Sequence, residues 1–464
     1  MKSTQFRTEQ DSMGEVKVPA HALYGAQTQR AVENFTISSE PLPWNFLEAV
    51  LLIKSAAART NGELGLLPEN YAQLIVAAVA ALRTTRPTEQ FPVSIFQTGS
   101  GTSTNMNVNE VIVGIVRAQG TELSPNDHVN LGQSSNDVIP TAIHLSAAIA
   151  VSRSLLPAIG DLARIIRSCG AAHNDVIKTA RTHLMDALPI FLQSEMDGWA
   201  AQLDECIERI QSALSRLQRL PLGGTAVGSG VNCHPGFAAK AIAQLSLDTS
   251  MPFTQALSLY KGLSSLDTVV EFSGHLKTCA VALTKIANDL RWMNSGPLTG
   301  FGEITLPALQ PGSSIMPAKV NPVIPEAVCM AAAQVIGNDT VITLAGIGGN
   351  FQLNTMLPVA AANILQSIDL LAGSARTLGE KAVATMTVNR EVYDRALSLN
   401  PILVTALNPV IGYLKAAEIA KIAQKEQRPV LDVALEHTDI PRQELKRLLD
   451  PRNLAEGGGK EASA

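Results

Sequence analysis

The chain has 464 residues, of which 17% are charged and 4% are aromatic, and its formal net charge is −5. This length predicts roughly three domains. The composition favours helices packed closely on one another, with part of their surface covered in an oligomer. The acidic balance and the lack of a basic cluster exclude the electrostatic footprint of a nucleic-acid-binding protein.

Targeting and redox signals are few in this sequence. No uninterrupted apolar run reaches the roughly 18–20 residues of a membrane span. Residues 1–10 are polar and charged, without the apolar core of a signal peptide, so we expect a cytoplasmic protein. The five cysteines are scattered without a CxxC pair, which argues against a disulfide framework, a zinc site or an iron–sulfur cluster. We expect each cysteine to be a small buried residue.

Taken in chain order, residues 1–137 mix short polar loops with helical pieces. Long stretches of helical periodicity follow from Pro140, separated by breaks rich in glycine and proline. Residues 390–464 are more charged and predict shorter helices, ending in a Gly-rich tail, 456–464, that we expect to be disordered. Strand signals are few. The predicted long helices cover about residues 140–170, 188–219, 264–294, 323–345 and 357–386.

This organisation predicts a mainly α protein with three domains. The first is an N-terminal mainly helical domain, 1–137. The second is a central long-helix bundle, 138–389, because helices of this length exceed the usual globular mean. The third is a small C-terminal helical domain, 390–464. Asp137, followed by Val-Ile-Pro140, is predicted to cap the start of the first long helix.

The loop 312–322 reads Gly-Ser-Ser-Ile-Met-Pro-Ala-Lys-Val-Asn-Pro. Its Gly-Ser-Ser start can move, while its two prolines stiffen the rest. Lys319 provides a cation for a carboxylate, and Asn321 provides both a donor and an acceptor. A P-loop is excluded, because the glycine before the lysine and the Ser or Thr after it are missing. The loop favours a site for a small dianionic substrate beside a hydroxyl, although a plain polar connection between helices has the same composition.

Three further polar segments interrupt the apolar pattern, at residues 97–110, 126–137 and 181–186. Each is predicted to lie at the start of a helix, where free backbone N–H groups and the helix dipole favour anions. Helix capping explains one Ser or Asn in each segment. It does not require the unbroken run of small polar residues from Ser100 to Asn105.

His183 lies in the third polar segment, directly after the hydroxyl of Thr182. A lone histidine is more often a structural residue than a catalyst. Paired through water with a carboxylate such as Glu326, however, a histidine can move protons near neutral pH. Both interpretations remain open from the residues alone.

With these motifs in view, the chain resembles the fumarase/aspartase superfamily over nearly its whole length. The loop matches the superfamily signature Gly-Ser-Ser-x-Met-x-x-Lys-x-Asn from Gly312 to Asn321, and residues 11–15 and 24–30 also match, in the same order. The resemblance implies three mainly helical domains and a homotetramer whose long helices form a twenty-helix core. It also implies active sites that three subunits share, and this would explain long helices with little charge.

Single residues favour the fumarase branch. Ser135 in Ser-Ser-Asn-Asp and Ser100 in Thr-Gly-Ser-Gly-Thr are similar to class II fumarases, whereas aspartases usually carry threonine and alanine there. Ala318 is instead the aspartase choice. We therefore expect a lyase, a fumarate hydratase of the tricarboxylic acid cycle that converts fumarate to (S)-malate. The alternatives are an aspartate ammonia-lyase and, from another class, a non-catalytic protein that keeps the fold as a structural component.

The resemblance also implies roles for individual residues, without any metal or cofactor. Ser313 would be the base, and His183 with Glu326 would protonate the leaving hydroxyl; an older assignment for the family makes the His183–water–Glu326 unit the base. The implied substrate-binding residues are Ser100, Gly101, Thr102, Asn105, Ser134, Ser135, Asn136, Thr182, Ser314, Lys319, Val320 and Asn321.

A second anion site, found in many fumarases, is expected to be weak or absent. Those fumarases place Arg and His just before a Pro-Asn-Asp segment, where this chain has Thr121 and Ser124. The residues of this accessory site would be Ser124, Pro125, Asn126 and Asp127.

Overall fold

The structure is a computed structural model that describes residues 5–457, and it is mainly helical, as predicted. Residues 458–464 of the predicted disordered tail lie outside the described range. The helices are α1 (Ala26–Asn34), α2 (Trp44–Glu63), α3 (Glu69–Thr85), α4 (Thr102–Arg117), α5 (Ser135–Ala150), α6 (Leu156–Ala172), α7 (Leu192–Leu217), α8 (Phe237–Thr249), α9 (Leu259–Ser264), α10 (Asp267–Met293), α11 (Val323–Ile347), α12 (Leu357–Lys381), α13 (Arg390–Leu399), α14 (Asn408–Ile411), α15 (Tyr413–Glu426), α16 (Val430–His437), α17 (Arg442–Leu448) and α18 (Pro451–Ala455).

The strands of the described residues pair only in twos. The sheets are β1 with β2, β3 with β4, β5 with β6, β7 with β10, and β8 with β9. The strand bounds are β1 (Phe6–Asp11), β2 (Gly14–Pro19), β3 (Ile177–Thr182), β4 (Met185–Phe191), β5 (Arg219–Leu220), β6 (Thr254–Gln255), β7 (Ile304–Thr305), β8 (Gly349–Asn350), β9 (Leu353–Asn354) and β10 (Thr387–Val388).

All five predicted long helices are present. The first is α5 and α6 joined by a π turn at Val151–Leu155, and the others are α7, α10, α11 and α12. Helix α7 begins four residues later than predicted, at Leu192 instead of 188, because the residues before it form strand β4. Of the five cysteines, Cys206 and Cys279 are buried as predicted, while the other three are only partly buried.

The described residues divide into two compact units. The first comprises residues 5–157, Cys206–Ala280 and Ala332–Ala372, and the second comprises Ala158–Glu205, Val281–Ala331 and residues 373–457. Each unit is made of several chain segments. The division of the sequence into three consecutive domains stays a prediction.

In the first unit, helix α2 lies against α3, α5 and α8. It is buried on nearly every side, because Ala and aliphatic residues fill most of its positions. In the second unit, the β3–β4 hairpin packs on α13 and α18, and the C-terminal helices enclose a small apolar core. Leu407, Ile419, Val433 and Leu445 form the centre of that core.

Two helical stretches, Ser135–Ala172 and Val323–Ile347, are long and apolar enough to cross a membrane by length and composition alone. Neither stretch is an unbroken apolar run, because polar residues such as His144 and Glu326 interrupt them. Buried helices of a packed core meet the same criterion. The apolar window of the first stretch is 56% buried within the protein and that of the second is 33% buried, so α11 leaves much apolar surface open.

Candidate active site

The first polar segment turns into helix α4 at Thr102, as predicted for a helix start. Two glycines make this turn possible. Gly101 has a φ of 73°, and a Cβ atom at Gly99 would collide with the backbone carbonyl of Thr355. The hydroxyls of Ser100 and Thr102 lie 2.9 Å apart and share a hydrogen bond. The turn thus presents two hydroxyls beside the N-terminus of a helix, a place that favours an anion.

The second polar segment begins helix α5 through a capping box. Ser134 is the N-cap, and its backbone N–H donates to Asp137 Oδ1 at 2.9 Å. The prediction that Asp137 caps this helix was therefore wrong by three positions, since Asp137 is the third helical residue. Pro140 lies beyond the first turn for the same reason.

Asp137 also holds a distant loop in place. Its Oδ2 atom accepts hydrogen bonds from the backbone N–H groups of Gly223 at 2.9 Å and Thr225 at 3.0 Å. Burial raises the pKa of Asp137, and the hydrogen bonds from Ser134, Thr225 and Gly223 oppose that rise. The next residue of the same loop is engaged as well, because Asn136 Nδ2 donates to the carbonyl of Ala226 at 2.8 Å.

The first two polar segments meet at Asn105 and Ser135. Asn105 Nδ2 donates to Ser135 Oγ at 3.1 Å, and both side chains are buried. Side-chain hydrogen bonds therefore join Ser100 with Thr102 and Asn105 with Ser135, and their contact with a common ligand stays a prediction.

The accessory anion site does not present free donors at Ser124. This residue caps the π turn Pro125–Val129, where its Oγ donates to Asp127 Oδ2 at 2.7 Å and accepts from Asp127 N at 3.0 Å. Its backbone N–H donates to Nδ1 of His128 at 2.9 Å. The hydroxyl is engaged within the turn and a carboxylate lies beside it, so the arrangement agrees with a weak site. Its absence stays a prediction.

The third polar segment is not at a helix start, and that prediction was wrong. Thr182 ends strand β3 and pairs with Met185 at the start of β4, so His183 and Leu184 form a two-residue hairpin turn. Both have positive φ, 56° and 60°, which is the geometry of a type I′ turn. Histidine and leucine are poor residues for this conformation, and strain of this kind concentrates at functional sites. The turn exposes His183 to solvent.

A buried network of ion pairs connects strand β3 of this hairpin with acidic residues outside it. Lys178, almost fully buried, donates to Glu195 at 2.8 Å and to Glu303 at 3.0 Å. Arg181 donates to the other oxygen of Glu303 at 2.5 Å and lies over the Phe301 ring at 4.2 Å. The network connects the hairpin with residues 301–303, which precede the loop 312–322. No sequence motif marks this network, because its members are far apart in the chain.

The loop 312–322 closes on itself through its backbone. Gly312 N donates to the carbonyl of Lys319 at 2.9 Å, and Asn321 Nδ2 donates to the carbonyl of Gly312 at 2.6 Å. A Cβ atom at position 312 would collide with the Lys319 carbonyl, so glycine is required there. Ala318 has a φ of 66°, a left-handed conformation in which a Cβ atom is strained.

The functional groups of the loop are arranged in two pairs. Ser313 Oγ accepts hydrogen bonds from the backbone N–H groups of Ile315 at 3.3 Å and Met316 at 3.0 Å. Lys319 Nζ donates to Asn321 Oδ1 at 2.7 Å. The Ser313 oxygen thus accepts two backbone amide donors, and the Lys319 cation lies beside the side-chain amide of Asn321.

Lys319, Val320, Asn321 and Glu326 line a cleft of about 820 Å³ in the second unit. Arg291 lines the same cleft as a second cation; no sequence motif marks it, because it lies at the end of a regular helix pattern. His183 is not among the lining residues, and within residues 5–457 no hydrogen bond joins it to Glu326. Thr182 and Ser314 are exposed near the hairpin turn and in the loop, respectively.

The predicted site residues therefore form two sets. The first unit carries one set and the second unit carries the other. The residues of the first set are Ser100, Gly101, Thr102, Asn105, Ser134, Ser135 and Asn136; those of the second are Thr182, His183, Ser313, Ser314, Lys319, Val320, Asn321 and Glu326. Their assignment to one substrate stays a prediction. Among residues 5–457, no group of three or more His, Cys, Asp or Glu side chains is arranged to hold a metal ion.

Comparisons with known proteins identify the family and the fold of the chain. Residues 14–337 match a family model described as Lyase, and residues 403–456 match one described as Fumarase C C-terminus. A class II fumarate hydratase of Xylella fastidiosa is 54% identical over 457 residues, covering 98% of this chain and 97% of that protein. A second class II fumarate hydratase, from Pseudomonas aeruginosa, is 54% identical over 456 residues, covering 98% of this chain and all of that protein (100%).

Solved structures have the same fold. The class II fumarase from Schistosoma mansoni superposes with a TM-score of 0.94 at 35% identity, covering 97% of this chain and 99% of that one. The fumarate lyase:delta crystallin from Brucella melitensis bound to cobalt gives a TM-score of 0.92 at 41% identity, covering 97% and 100%. The predicted fumarase/aspartase-like fold is thus confirmed. The chain is a lyase, and it belongs to the class II fumarase family.

Proposed function

We propose that this chain is a class II fumarate hydratase that catalyses the reversible hydration of fumarate to (S)-malate in the tricarboxylic acid cycle. Family membership supports the reaction class. The observation that carries the proposal is the environment of Ser313, whose Oγ accepts two backbone N–H groups in the loop that also contains Lys319 and Asn321. Such an oxygen is suited to take a proton from a carbon atom next to a carboxylate.

The difficult step is removal of the proton from C3 of malate, because the electron pair moves onto the adjacent carboxylate as an aci-carboxylate. A neutral serine is too weak a base for this step. The amides of Ile315 and Met316 support an alkoxide at Ser313, since preorganised donors stabilise a negative oxygen. Lys319 and Asn321 bind the carboxylate on which the charge develops, and Lys319 compensates that charge.

The leaving hydroxyl at C2 needs a proton as its bond to carbon breaks. His183 provides it, and Glu326 is coupled to His183 through water. The exposed and strained hairpin turn at His183 supports a role outside the packing of its own unit. Thr102, Ser134, Ser135 and Asn136 hold the rest of the substrate. The older assignment, in which the His183–water–Glu326 unit is the base, is separated from this one by the Ser313 variant described below.

A homotetramer with active sites shared by three subunits supports this chemistry, because it explains how the two sets of site residues act together. The apolar face that α11 leaves open is the supporting observation: Met330, Leu344 and Ile347 are 69%, 59% and 73% exposed. Light scattering after size-exclusion chromatography tests the assembly. A mass near four times the 49.2 kDa of one chain supports it, and a monomer rejects it.

The remaining parts of the proposal concern setting and organisation. We propose a cytoplasmic enzyme that needs no metal or cofactor, with the three domains 1–137, 138–389 and 390–464, and a small dicarboxylate, fumarate or malate, as its substrate. Full activity after exhaustive chelation tests the metal independence. Limited proteolysis near residues 137 and 389 tests the domain boundaries.

Aspartate ammonia-lyase remains the second candidate, because it shares the carbanion step and Ala318 is the residue usual in aspartases. One assay distinguishes the candidates: malate and then aspartate are offered, and fumarate is followed by its ultraviolet absorbance. Fumarate from malate supports the proposal. Fumarate from aspartate but not malate would reject it in favour of the aspartase, and release from neither would point to a non-catalytic protein.

A further inference from the structure

Within the apolar stretch 49–58 of helix α2, Lys54 is the one charged residue. Lys54 is fully buried, and its ammonium donates to Asn130 Oδ1 at 2.9 Å and to Gln133 Oε1 at 3.0 Å. A buried cation is costly unless it is well hydrogen-bonded: burial lowers the pKa of Lys54 to about 7, and the charge of Asp137 opposes that lowering. Both of these acceptors belong to the segment that directly precedes Ser134. Lys54 is therefore hydrogen-bonded to the segment that leads into the predicted substrate-binding residues at the start of α5.

An ammonium group has donors and no acceptor, so it dictates which way a neighbouring amide faces. The oxygen of Asn130 must point to Lys54, and its Nδ2 then donates to the carbonyl of Gln133 at 3.1 Å. The oxygen of Gln133 points to Lys54 as well, and its Nε2 donates to the carbonyls of Val129 at 3.1 Å and Leu131 at 3.2 Å. Without a donor at position 54, only the bonds to these backbone carbonyls and the donors of Asn105 and Asn109 would hold the two amides in this orientation.

The orientation of the Asn130 amide determines the hydrogen bonds of two further side chains, those of Asn105 and Ser135. Its Oδ1 also accepts from Asn105 Nδ2 at 3.1 Å, and the same Nδ2 donates to Ser135 Oγ at 3.1 Å. Asn105 Oδ1 is buried and has no hydrogen-bond partner among the described residues. Ser135 Oγ thus acts as an acceptor towards Asn105, which leaves the single hydroxyl proton of Ser135 available for another acceptor. We call Lys54, Asn130, Asn105 and Ser135 the Lys54 relay.

We propose that Lys54 is a positioning residue that fixes the donor direction of this relay, so that the Ser135 hydroxyl donates its proton to a carboxylate of the substrate. The inference rests on the proposed function in one respect, namely that the ligand is a dicarboxylate. The amide nitrogen of Asn105 donates to two protein oxygens, whereas the hydroxyl proton of Ser135 remains available for a substrate carboxylate. Reversal of the Asn130 amide would turn its nitrogen towards Asn105 and remove this order.

The experiment measures binding of succinate, a dicarboxylate that cannot react, to the full-length protein by titration calorimetry. Lys54→Met removes the donors at similar length and should raise the Kd about tenfold, the scale of one lost hydrogen bond to a charged group. Lys54→Arg again offers only donors and should stay within about threefold of wild type. In the Ser135→Ala background, Lys54→Met should have no further effect, because the relay then has no proton to direct.

Asn61→Ala is the matched structural control. Asn61 is buried on the same helix and donates to the carbonyl of Leu131 at 2.9 Å, so its loss loosens the same segment without reversing an amide of the relay. Its succinate Kd should remain near wild type even when its melting temperature falls. Should Lys54→Met not fold, Lys54→Gln replaces it, because a glutamine amide can face Asn130 with either its oxygen or its nitrogen.

Two results would overturn the relay: additive effects of Lys54→Met and Ser135→Ala, or a loss of affinity in Asn61→Ala as large as that in Lys54→Met. Failure of the proposed function gives a different pattern. If wild type and variants bind succinate as expected but malate yields no fumarate, the reaction is wrong and the relay stands. A wild-type protein that binds no succinate removes the relay as stated, whatever the outcome with malate.

Discussion

The hydroxyl oxygen of Ser313 lies 3.0 Å from the backbone nitrogen of Met316, which donates a hydrogen bond to it. A second amide, that of Ile315, donates to the same oxygen from 3.3 Å. Two donors directed at one oxygen favour its negatively charged form over its neutral form. The proposed base is therefore supported by its own loop.

Replacement of Ser313 by alanine should lower kcat about 10²–10⁴-fold, the range for loss of a catalytic base, with a much smaller change in KM. The reason is that Ser313 acts on the proton at C3 and not on the carboxylates. Steady-state rates with malate measure the effect, and Ser398→Ala, an exposed serine of the same unit, is the control. Turnover within about threefold of wild type would assign the base elsewhere.

His183→Asn should lower kcat about 10²-fold or more and remove one limb of the pH–rate profile, because asparagine cannot transfer the proton. Asparagine is favoured at positive φ, so the hairpin turn keeps its shape in this variant. Leu184→Gly is the matched control, since it changes the other residue of the turn and should keep the activity. An unaltered rate and pH profile in His183→Asn would remove His183 from the chemistry.

Ala318 is expected to tolerate glycine but not valine. Its φ of 66° costs an alanine about 1 kcal/mol and a β-branched residue more. Ala318→Gly should therefore retain kcat/KM within about threefold, whereas Ala318→Val should raise KM for malate about tenfold by displacing Lys319. Ala327→Val, at an exposed position of α11, controls for added bulk. A wild-type KM in Ala318→Val would mean that the left-handed conformation is dispensable.

His144 should make the protein less stable in acid. Burial lowers the pKa of His144 to about 4, the carbonyl of Arg219 at 2.9 Å opposes this, and the cation of Lys261 adds to the lowering. Between its ordinary pKa of 6.5 and about 4, the unfolded chain binds a proton that the folded chain refuses. Stability therefore falls as the pH drops through this window.

Thermal melting of wild type and His144→Gln checks this pH dependence. Between about pH 7 and pH 5, wild type should lose more melting temperature than the variant, which has no proton to bind there. His21→Gln, at an exposed position, should follow wild type. Parallel curves for wild type and His144→Gln would contradict the assignment.

The long helices could be predicted from sequence because their signal is local and repeated. In α10, Leu276, Leu283 and Leu290 recur at seven-residue spacing and are all buried. The third polar segment could not be placed correctly, since its turn is His-Leu in place of the Asn-Gly or Asp-Gly that marks a hairpin. Tertiary packing of β3 and β4 outweighs that poor turn, and such packing has no local signature.

The residue types of the site could be predicted from the sequence, but the hydrogen bonds between distant residues could not. Ser313, Lys319 and Asn321 stand out because they follow one another in a short loop. Lys54 does not, since its partners lie 76 and 79 residues further along the chain. A single lysine inside an apolar helix was the one available signal, and its meaning depends on which amides it meets in space.

The two hydrogen bonds that the Asp137 carboxylate accepts from the backbone of Gly223 and Thr225 span 86 and 88 residues of chain. Closing so large a loop is slow compared with forming a helix. During refolding, helix α5 can form early, but the buried carboxylate at its start obtains these two partners only after residues 223–225 have docked. We therefore expect helical signal to return before substrate binding does, with the loop at Gly223 as the last part of this region to become ordered.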